Sequence, residues 1–410
     1  MIDKGADLEA KAIDKRRPLH ISAQSGQLEC LKYLIEKGAD IEANDNHKRT
    51  SLHVSAQNGE IECLKYLMDK EAEIETKDEE GRTPLHLSAH NGRLECLKYL
   101  IHKGADLKAK DKAERTPLHL SADQNHLNCI KYLFKKGSDL EAKGYDAKTA
   151  LHLAAGNKQV ECLKYLIDIK ADISAKDYFE STPLHLSAEK SNLESLKYLI
   201  DKGADLEAKD KARQTPLHLS VLNGQLECLK FLIDKRADLA AKDNDGQTPL
   251  HLSAQNGQLD CLKFLIDKGA DLKASDNVGQ TPLHLSAQNG ELECLKCLID
   301  NGADLEAKDY AGQTPLHTSA DEMWNLESLE ILTFLIEQKA EVNARDKKKN
   351  TPLHLISCNI LSELSQLHLK AGEELIKAGA DLSAVNSEGK TPMDNEFVEI
   401  SIEQNPEVFV

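Results

Sequence analysis

Apolar residues in this chain fall into two kinds of short run, and each kind returns every 33 residues. Residues 243–275 show one copy. Asp243-Asn244-Asp245-Gly246 is turn chemistry, with a glycine free to take positive φ. Thr248 suits a helix N-cap, and Pro249 suits the first helical position, where a missing N–H is harmless. Leu250 and Ala254 then share one face of a short helix at i and i+4, which Asn256-Gly257 ends. Leu259, Leu262 and Ile266 follow at i, i+3 and i+7, with Cys261 and Leu265 beside them, and predict a second amphipathic helix. Gly269 caps it, and Ala270-Asp271-Leu272 leads to the next turn. One unit is therefore turn, helix, antiparallel helix, return.

The phrase Thr-Pro-Leu-His opens the copies at Thr83, Thr116, Thr182, Thr215, Thr248, Thr281 and Thr314. Looser versions begin at Arg17, Thr50 and Thr149, and two more follow at Thr351 and Thr391 with longer spacing. A two-helix unit cannot bury its apolar faces alone, so a fixed period of this size predicts stacked units sharing one continuous core. The period, the Thr-Pro-Leu-His phrase and the Gly-Ala-Asp return resemble the ankyrin repeat family over nearly the whole chain. That resemblance implies an all-α solenoid of L-shaped units with β-turn fingers, in which the fingers and first helices line a concave face. It also implies a protein-binding role without catalysis. It makes the phrase histidines, His20 and then His53 through His354, hydrogen-bond links between neighbouring turns.

About eleven to twelve repeats are expected, in an elongated array. Residues 1–16 read as a partial repeat, 17–346 as regular repeats, 347–386 as a repeat with lengthened helices and 387–410 as a degenerate polar cap. The copy at Thr314 carries four extra residues around Trp324, and the copy at Thr351 carries seven extra. These are close to one and two helical turns, so the apolar faces are kept. In the last copy Asp394 replaces the histidine. The opening Ile2–Asp7 matches the tail of a second helix whose body is absent. Either the array is trimmed there or a longer protein has been cut.

Charge narrows the partner. The formal net charge of −17 argues against nucleic acid and anionic membrane, since both demand a basic face. Lys347-Lys348-Lys349 and Lys48-Arg49 are local basic spots that read as solvated turns. No apolar leader segment opens the chain and no apolar run approaches the ~20 residues of a membrane helix. The expected setting is cytoplasmic or nuclear, with thiols reduced, and the expected state is a monomer.

Two further ladders run along the array. Cys30, Cys63, Cys96, Cys129, Cys162, Cys228, Cys261 and Cys294 hold one repeat position, with Ser195 on the missing rung. Stacked helices lie ~8–10 Å apart, too far for disulfides or a shared zinc between rungs, so these read as small apolar core residues. Cys294 and Cys297 form a CxxC, but Cys297 sits at the aromatic position and no second pair lies near. Tyr33, Tyr66, Tyr99, Tyr132, Tyr165, Tyr198, Phe231 and Phe264 form an aromatic ladder that packs with its polar tips at the edge. No metal, cofactor or catalytic group is expected: HExxH, a phosphate loop and a recurring nucleophile are all missing.

Partner information lies in the departures from the repeat. Tyr145, Tyr178 and Tyr310 fall at one turn position, and Phe179 follows Tyr178. Aromatics on exposed tips are typical interface anchors. The helix-end pair Gln255-Asn256 becomes Asp123-Gln124, Gly156-Asn157, Glu189-Lys190 and Leu222-Asn223 elsewhere. The expected interface therefore runs over residues 112–223, with Tyr145, Tyr178, Phe179, Glu189, Lys190 and Leu222 as contacts and Tyr310 as an outlying one. Leu335, Glu341, Val342 and Asn343 resemble the pattern that a cytosolic oxygenase modifies in ankyrin domains, which implies hydroxylation of Asn343. Glu71, Lys158, Lys170, Arg236 and Lys339 stand where most copies have a helix-ending glycine, and are expected in the left-handed region. The functional reading is a non-catalytic scaffold or adaptor for a protein partner. The alternative is the ankyrin segment of a larger regulatory protein such as an enzyme, a channel or a ubiquitin-ligase adaptor.

Overall fold

The Thr-Pro-Leu-His phrases from Thr83 to Thr314 each start a helix of about two turns, the one at Thr351 starts a single turn, Pro352–Leu355, and the leucine-rich runs form second helices antiparallel to the first. A computed structural model describes residues 7–158, 160–321, 326–356 and 365–394. No strand occurs among the described residues. Trp324 and Cys358 lie outside them.

The chain divides into two units. The first, within residues 1–205, pairs the first helices Pro18–Gln24, Ser51–Asn58, Pro84–His90, Pro117–Asp123, Ala150–Ala155 and Pro183–Glu189 with second helices from Leu28–Glu36 to Leu193–Asp201. First helices pack on first helices and second on second, which makes two layers. The second unit, from residue 206, repeats this from Pro216–Leu222 and Leu226–Asp234 onward. Its second helices lengthen to Leu326–Glu337 and Ser365–Lys377, 12 and 13 residues against the usual 9. A 3₁₀ turn at Pro392–Asp394 ends the described chain.

The core is thin and leucine-rich. In the copy dissected above, Leu250 and Ala254 are fully buried, as their spacing predicts. The second helix differs from expectation. Its buried stripe is Cys261, Leu262 and Leu265, while Leu259 and Ile266 are only half-buried. A second helix packs against its own first helix and against second helices on both sides, so its buried arc centres one residue away from a single-face stripe.

Most ladder cysteines sit in this core. Burial pushes the thiols of Cys63, Cys129 and Cys261 up to about 11, and those of Cys96, Cys162 and Cys294 up to about 12. Cys30 departs from the expectation: it is exposed, beside an open apolar hollow of about 660 Å³ formed with Pro18, Ile21, Tyr33 and Leu34. A rung is buried only by the repeat stacked over it, and no described helix covers this one. Cys297 is half-buried. Native protein is therefore expected to react quickly with a thiol reagent at Cys30, more slowly at Cys297, and at the core rungs only on denaturation. Fast reaction at every rung contradicts this packing. Ser195, on the missing rung, is fully buried with a hydroxyl that finds no hydrogen-bond partner, so the replacement carries a desolvation cost that cysteine avoids.

Glu71, Lys170, Arg236 and Lys339 take φ of 61°, 73°, 71° and 67°, as predicted for a helix-ending residue in place of glycine. Lys158 does not share that conformation. There the first helix stops early at Ala155, Gly156 stays right-handed, and the Asn157 amide donates to the carbonyls of Ala122 and Asp123 in the preceding repeat. With the helix ended by other means, the left-handed step is not needed. At Gly203, which holds the position of Lys170 in the next repeat, an added Cβ would meet nothing within 4 Å, so glycine is favoured there by backbone conformation alone. Lys170→Gly is expected to raise stability by about 0.5–1 kcal/mol, relief of left-handed strain outweighing lost chain stiffness. A loss in chemical denaturation contradicts that assignment.

Candidate functional site

Each repeat projects a finger between its return and its first helix, and in most copies one aspartate organises it. In the Asp45 finger, Oδ1 accepts the backbone N–H groups of His47 and Arg49, and Oδ2 accepts Arg49 Nε, all within 2.8–2.9 Å. Burial alone would raise this carboxyl, but the bonds from Arg49 and His47 bring it below the ordinary value. Fingers join their neighbours through one backbone bond each. Glu79 N–H donates to His47 O, Lys112 to Glu80 O, Tyr145 to Ala113 O and Tyr178 to Asp146 O, at 2.7–2.9 Å. In the second unit Tyr310 N–H donates to Val278 O at 2.9 Å.

The phrase histidine locks finger to helix. His53 Nδ1 accepts the Thr50 N–H at 3.2 Å, so the proton is on Nε2, which donates to the Arg82 carbonyl of the next finger at 3.0 Å. His86, His119, His251 and His284 repeat this, to Arg115, Lys148, Gln280 and Gln313. Burial lowers their basicity, His53 to about 4. In the last copy Asp394 takes over the acceptor half of the role, with Oδ2 receiving Thr391 N–H at 2.6 Å. The aromatic ladder is half-buried, and lysine ammonium groups lie over its rings, such as Lys103 over Tyr99 at 5.4 Å and Lys202 over Tyr198 at 5.1 Å.

The expected contact residues divide between the two units. Tyr145, Tyr178 and Phe179 stand on adjoining fingers of the first unit, 84%, 62% and 57% exposed. Tyr178 and Phe179 meet edge to face with ring centroids 5.3 Å apart. The Tyr145 finger lacks the organising aspartate: Gly144 holds its place, and Asp146 instead accepts Lys148 N–H at 3.2 Å and pairs with Lys148 Nζ at 2.9 Å. Glu189 and Lys190 pair with each other at the end of a first helix in the same unit. Leu222, half-buried, and Tyr310, 63% exposed, belong to different repeats of the second unit. Tyr310 lies against Gly279, where an added Cβ would come 2.6 Å from its backbone nitrogen, so the φ of +88° and the close approach both require glycine. Val278, 56% exposed, stands beside it and was not singled out from sequence.

Asn343 has a structural role in the return. Its amide donates to Gly379 O at 3.0 Å, and its Oδ1 accepts Asp381 N–H at 2.7 Å. Glu42, Glu75, Glu141 and Glu207 bridge successive returns from the same position, each accepting a backbone N–H.

One feature of the first unit escaped the sequence reading. The residue before the phrase threonine is Arg16, Arg49, Arg82, Arg115 and Lys148 in successive copies, then Ser181, and Gln214, Gln247, Gln280 and Gln313 in the second unit. Some of these side chains bond the ends of the first helices. Arg49 Nη1 donates to Gln57 Oε1 at 3.0 Å, and Gln280 Nε2 to Gln288 Oε1 at 3.3 Å. The signal was the change of one letter beside an unchanging phrase.

Among the described residues no three His, Cys, Asp or Glu side chains are placed to share a metal ion, and no helix is long and apolar enough to cross a membrane. Comparison with known proteins matches this geometry. The family model described as ankyrin repeats (3 copies) matches residues 1–78, 70–144, 141–210, 207–276 and 273–346. A search of curated proteins found no match. Among solved structures, the crystal structure of the human ASB11 ankyrin repeat domain is similar at 27% identity and a TM-score of 0.48, over 53% of this chain and 98% of that one. With paired helices, bonded fingers and family matches running through residue 346, the chain belongs to the ankyrin repeat family.

Proposed function

We propose that this chain is a non-catalytic scaffold or adaptor that holds a protein partner on its fingers and the adjoining first-helix ends. Ankyrin repeats are a protein–protein interaction module. The observation that carries the finer reading is the set of exposed aromatics on adjoining fingers, Tyr145, Tyr178 and Phe179. Large rigid side chains left in solvent are unfavourable unless something covers them, and interfaces draw on such residues for most of their affinity. Tyr310 with Val278 is a second, smaller contact. The acidic balance of the chain favours a protein over nucleic acid, and the cysteine-rich core suits a reducing compartment, the cytoplasm or nucleus. The test is quantitative affinity capture from source cells with the native chain and with Tyr145→Ala/Tyr178→Ala/Phe179→Ala. Proteins held by the native chain and lost by the variant support the reading, and equal capture by both refutes it.

A further inference from the structure

Arg82 and Arg115 occupy the same position in consecutive repeats of the first unit, and each guanidinium is fixed from behind. Arg82 Nε and Nη2 both lie 2.9 Å from Asp78 Oδ2. Arg115 Nε and Nη2 lie 3.0 and 2.9 Å from Asp111 Oδ2. Both aspartate side chains are 1% exposed, whereas the arginine side chains are 26% and 37% exposed. In the two preceding copies the remaining nitrogen is satisfied at the first-helix end, Arg16 Nη1 by Gln24 at 2.6 Å and Arg49 Nη1 by Gln57 at 3.0 Å. At the third and fourth copies that glutamine is replaced by His90 and Asp123, and neither accepts a bond from its arginine. The His90 Nδ1 atom is buried and has no hydrogen-bond partner. The His126 ring lies over Gly92 and donates Nε2–H to the His90 carbonyl at 3.0 Å.

We propose that Arg82 and Arg115 form a recognition site for an extended acidic segment of the partner, a deepening of the protein-binding reading above on which it rests. The two rigid Nη1 groups supply N–H donors one repeat apart, ~8–10 Å. An extended chain rises ~3.3 Å per residue, so carboxylates two to four residues apart reach both. Charge-assisted bonds from an anchored arginine are short and directional, and here the anchoring aspartates are already satisfied. Burial, followed by the nearby positive charges, holds His90 in its neutral form, so the positive charge of the site is that of the two arginines. The carboxylate beside the site is Asp123, bonded to Gln124 Nε2 at 2.9 Å, and it opposes an acidic ligand.

The experiment is selection of random dodecapeptides displayed on phage against the full chain, against Arg82→Gln/Arg115→Gln and against Asp123→Asn. Glutamine is the residue the second unit carries at this position, with the same aspartate four residues earlier, so the double variant keeps a side chain the repeat accepts. The native chain is expected to enrich peptides rich in Asp and Glu. The best of them, as a free peptide, is expected to bind the double variant roughly a hundredfold more weakly, about tenfold per arginine, to bind Asp123→Asn more tightly, and to weaken with added salt. Selected peptides without acidic enrichment, or acidic peptides held equally by the double variant, overturn this site and leave the protein-binding reading standing. No enrichment on any form counts against both.

Discussion

His119→Ala is expected to destabilise the first unit by about 2–5 kcal/mol, the largest effect of any single change considered. The imidazole joins the Thr116 N–H to the Lys148 carbonyl, which also accepts the Gly144 N–H at 3.0 Å. Its Nδ1 accepts the Thr116 N–H at 3.1 Å, and its Nε2 reaches the Lys148 carbonyl at 3.0 Å. Thr116 is 5% exposed and His119 1%. Truncation leaves the buried Thr116 N–H unpaired, at about 1–3 kcal/mol, removes the link to the next finger and opens a cavity. Stability in a repeat array is a sum of repeat and neighbour terms, so the loss falls on the contact between these two repeats. The same ladder sets the response to acid. Burial lowers the folded-state basicity of the phrase histidines, His53 from 6.5 to about 4, and protonation of Nδ1 sets it against the threonine N–H. The unfolded chain then binds more protons than the folded one below about pH 6.5. The contribution is complete above that pH and is lost as pH falls toward 4, at about 1.4 kcal/mol per pH unit for each histidine held neutral. Thermal unfolding temperatures should be flat above pH 7 and fall steeply from pH 6.5 to 4. A midpoint unchanged down to pH 4.5, or a stable His119→Ala, contradicts the proposed role of the ladder.

Replacing Tyr145, Tyr178 and Phe179 with Ala together is expected to weaken partner binding by about 1–4 kcal/mol and to leave the fold intact. The two halves have separate causes. Exposure of 57–84% means that little core contact is lost, and surface changes of this kind usually fall within about 0.5 kcal/mol. The backbone bonds of the fingers, Tyr145 N–H to Ala113 O and Tyr178 N–H to Asp146 O, involve no side chain and survive the change. Affinity falls because three rings are available to a partner at little entropic cost. Tyr178 and Phe179 already brace each other at 5.3 Å. Isothermal titration against a partner recovered by affinity capture measures the loss. Circular dichroism and thermal unfolding of the variant separate it from misfolding.

Much of this was legible in the sequence because the repeat states each requirement many times. The Thr-Pro opening implies the N-cap, and the family resemblance implies the histidine link, which runs from His20 to Arg49 in the first copy and from His354 to Lys390 in the last. The cysteine rungs read correctly as core for the same reason. What was not legible depends on neighbours rather than on the letter itself. Cys30 has the sequence of a buried rung but nothing described stacks over it. The stripe on Leu259–Asp267 is displaced because that helix has more than one packing face. Lys158 escapes the left-handed region because Asn157 bonds back to the previous repeat. The Arg82 and Arg115 donors are visible as letters, but their unfilled nitrogens appear only when His90 and Asp123 are seen beside them.

The most direct test of the binding surface is hydroxyl-radical footprinting of the chain with and without its captured partner, read by mass spectrometry at each aromatic. Tyr145, Tyr178 and Phe179 are expected to be reactive in the free chain and protected in the complex, while the ladder residues Tyr66, Tyr99 and Tyr132 stay unchanged. Protection confined to the ladder, with the finger aromatics as reactive in the complex as in the free chain, would contradict the account.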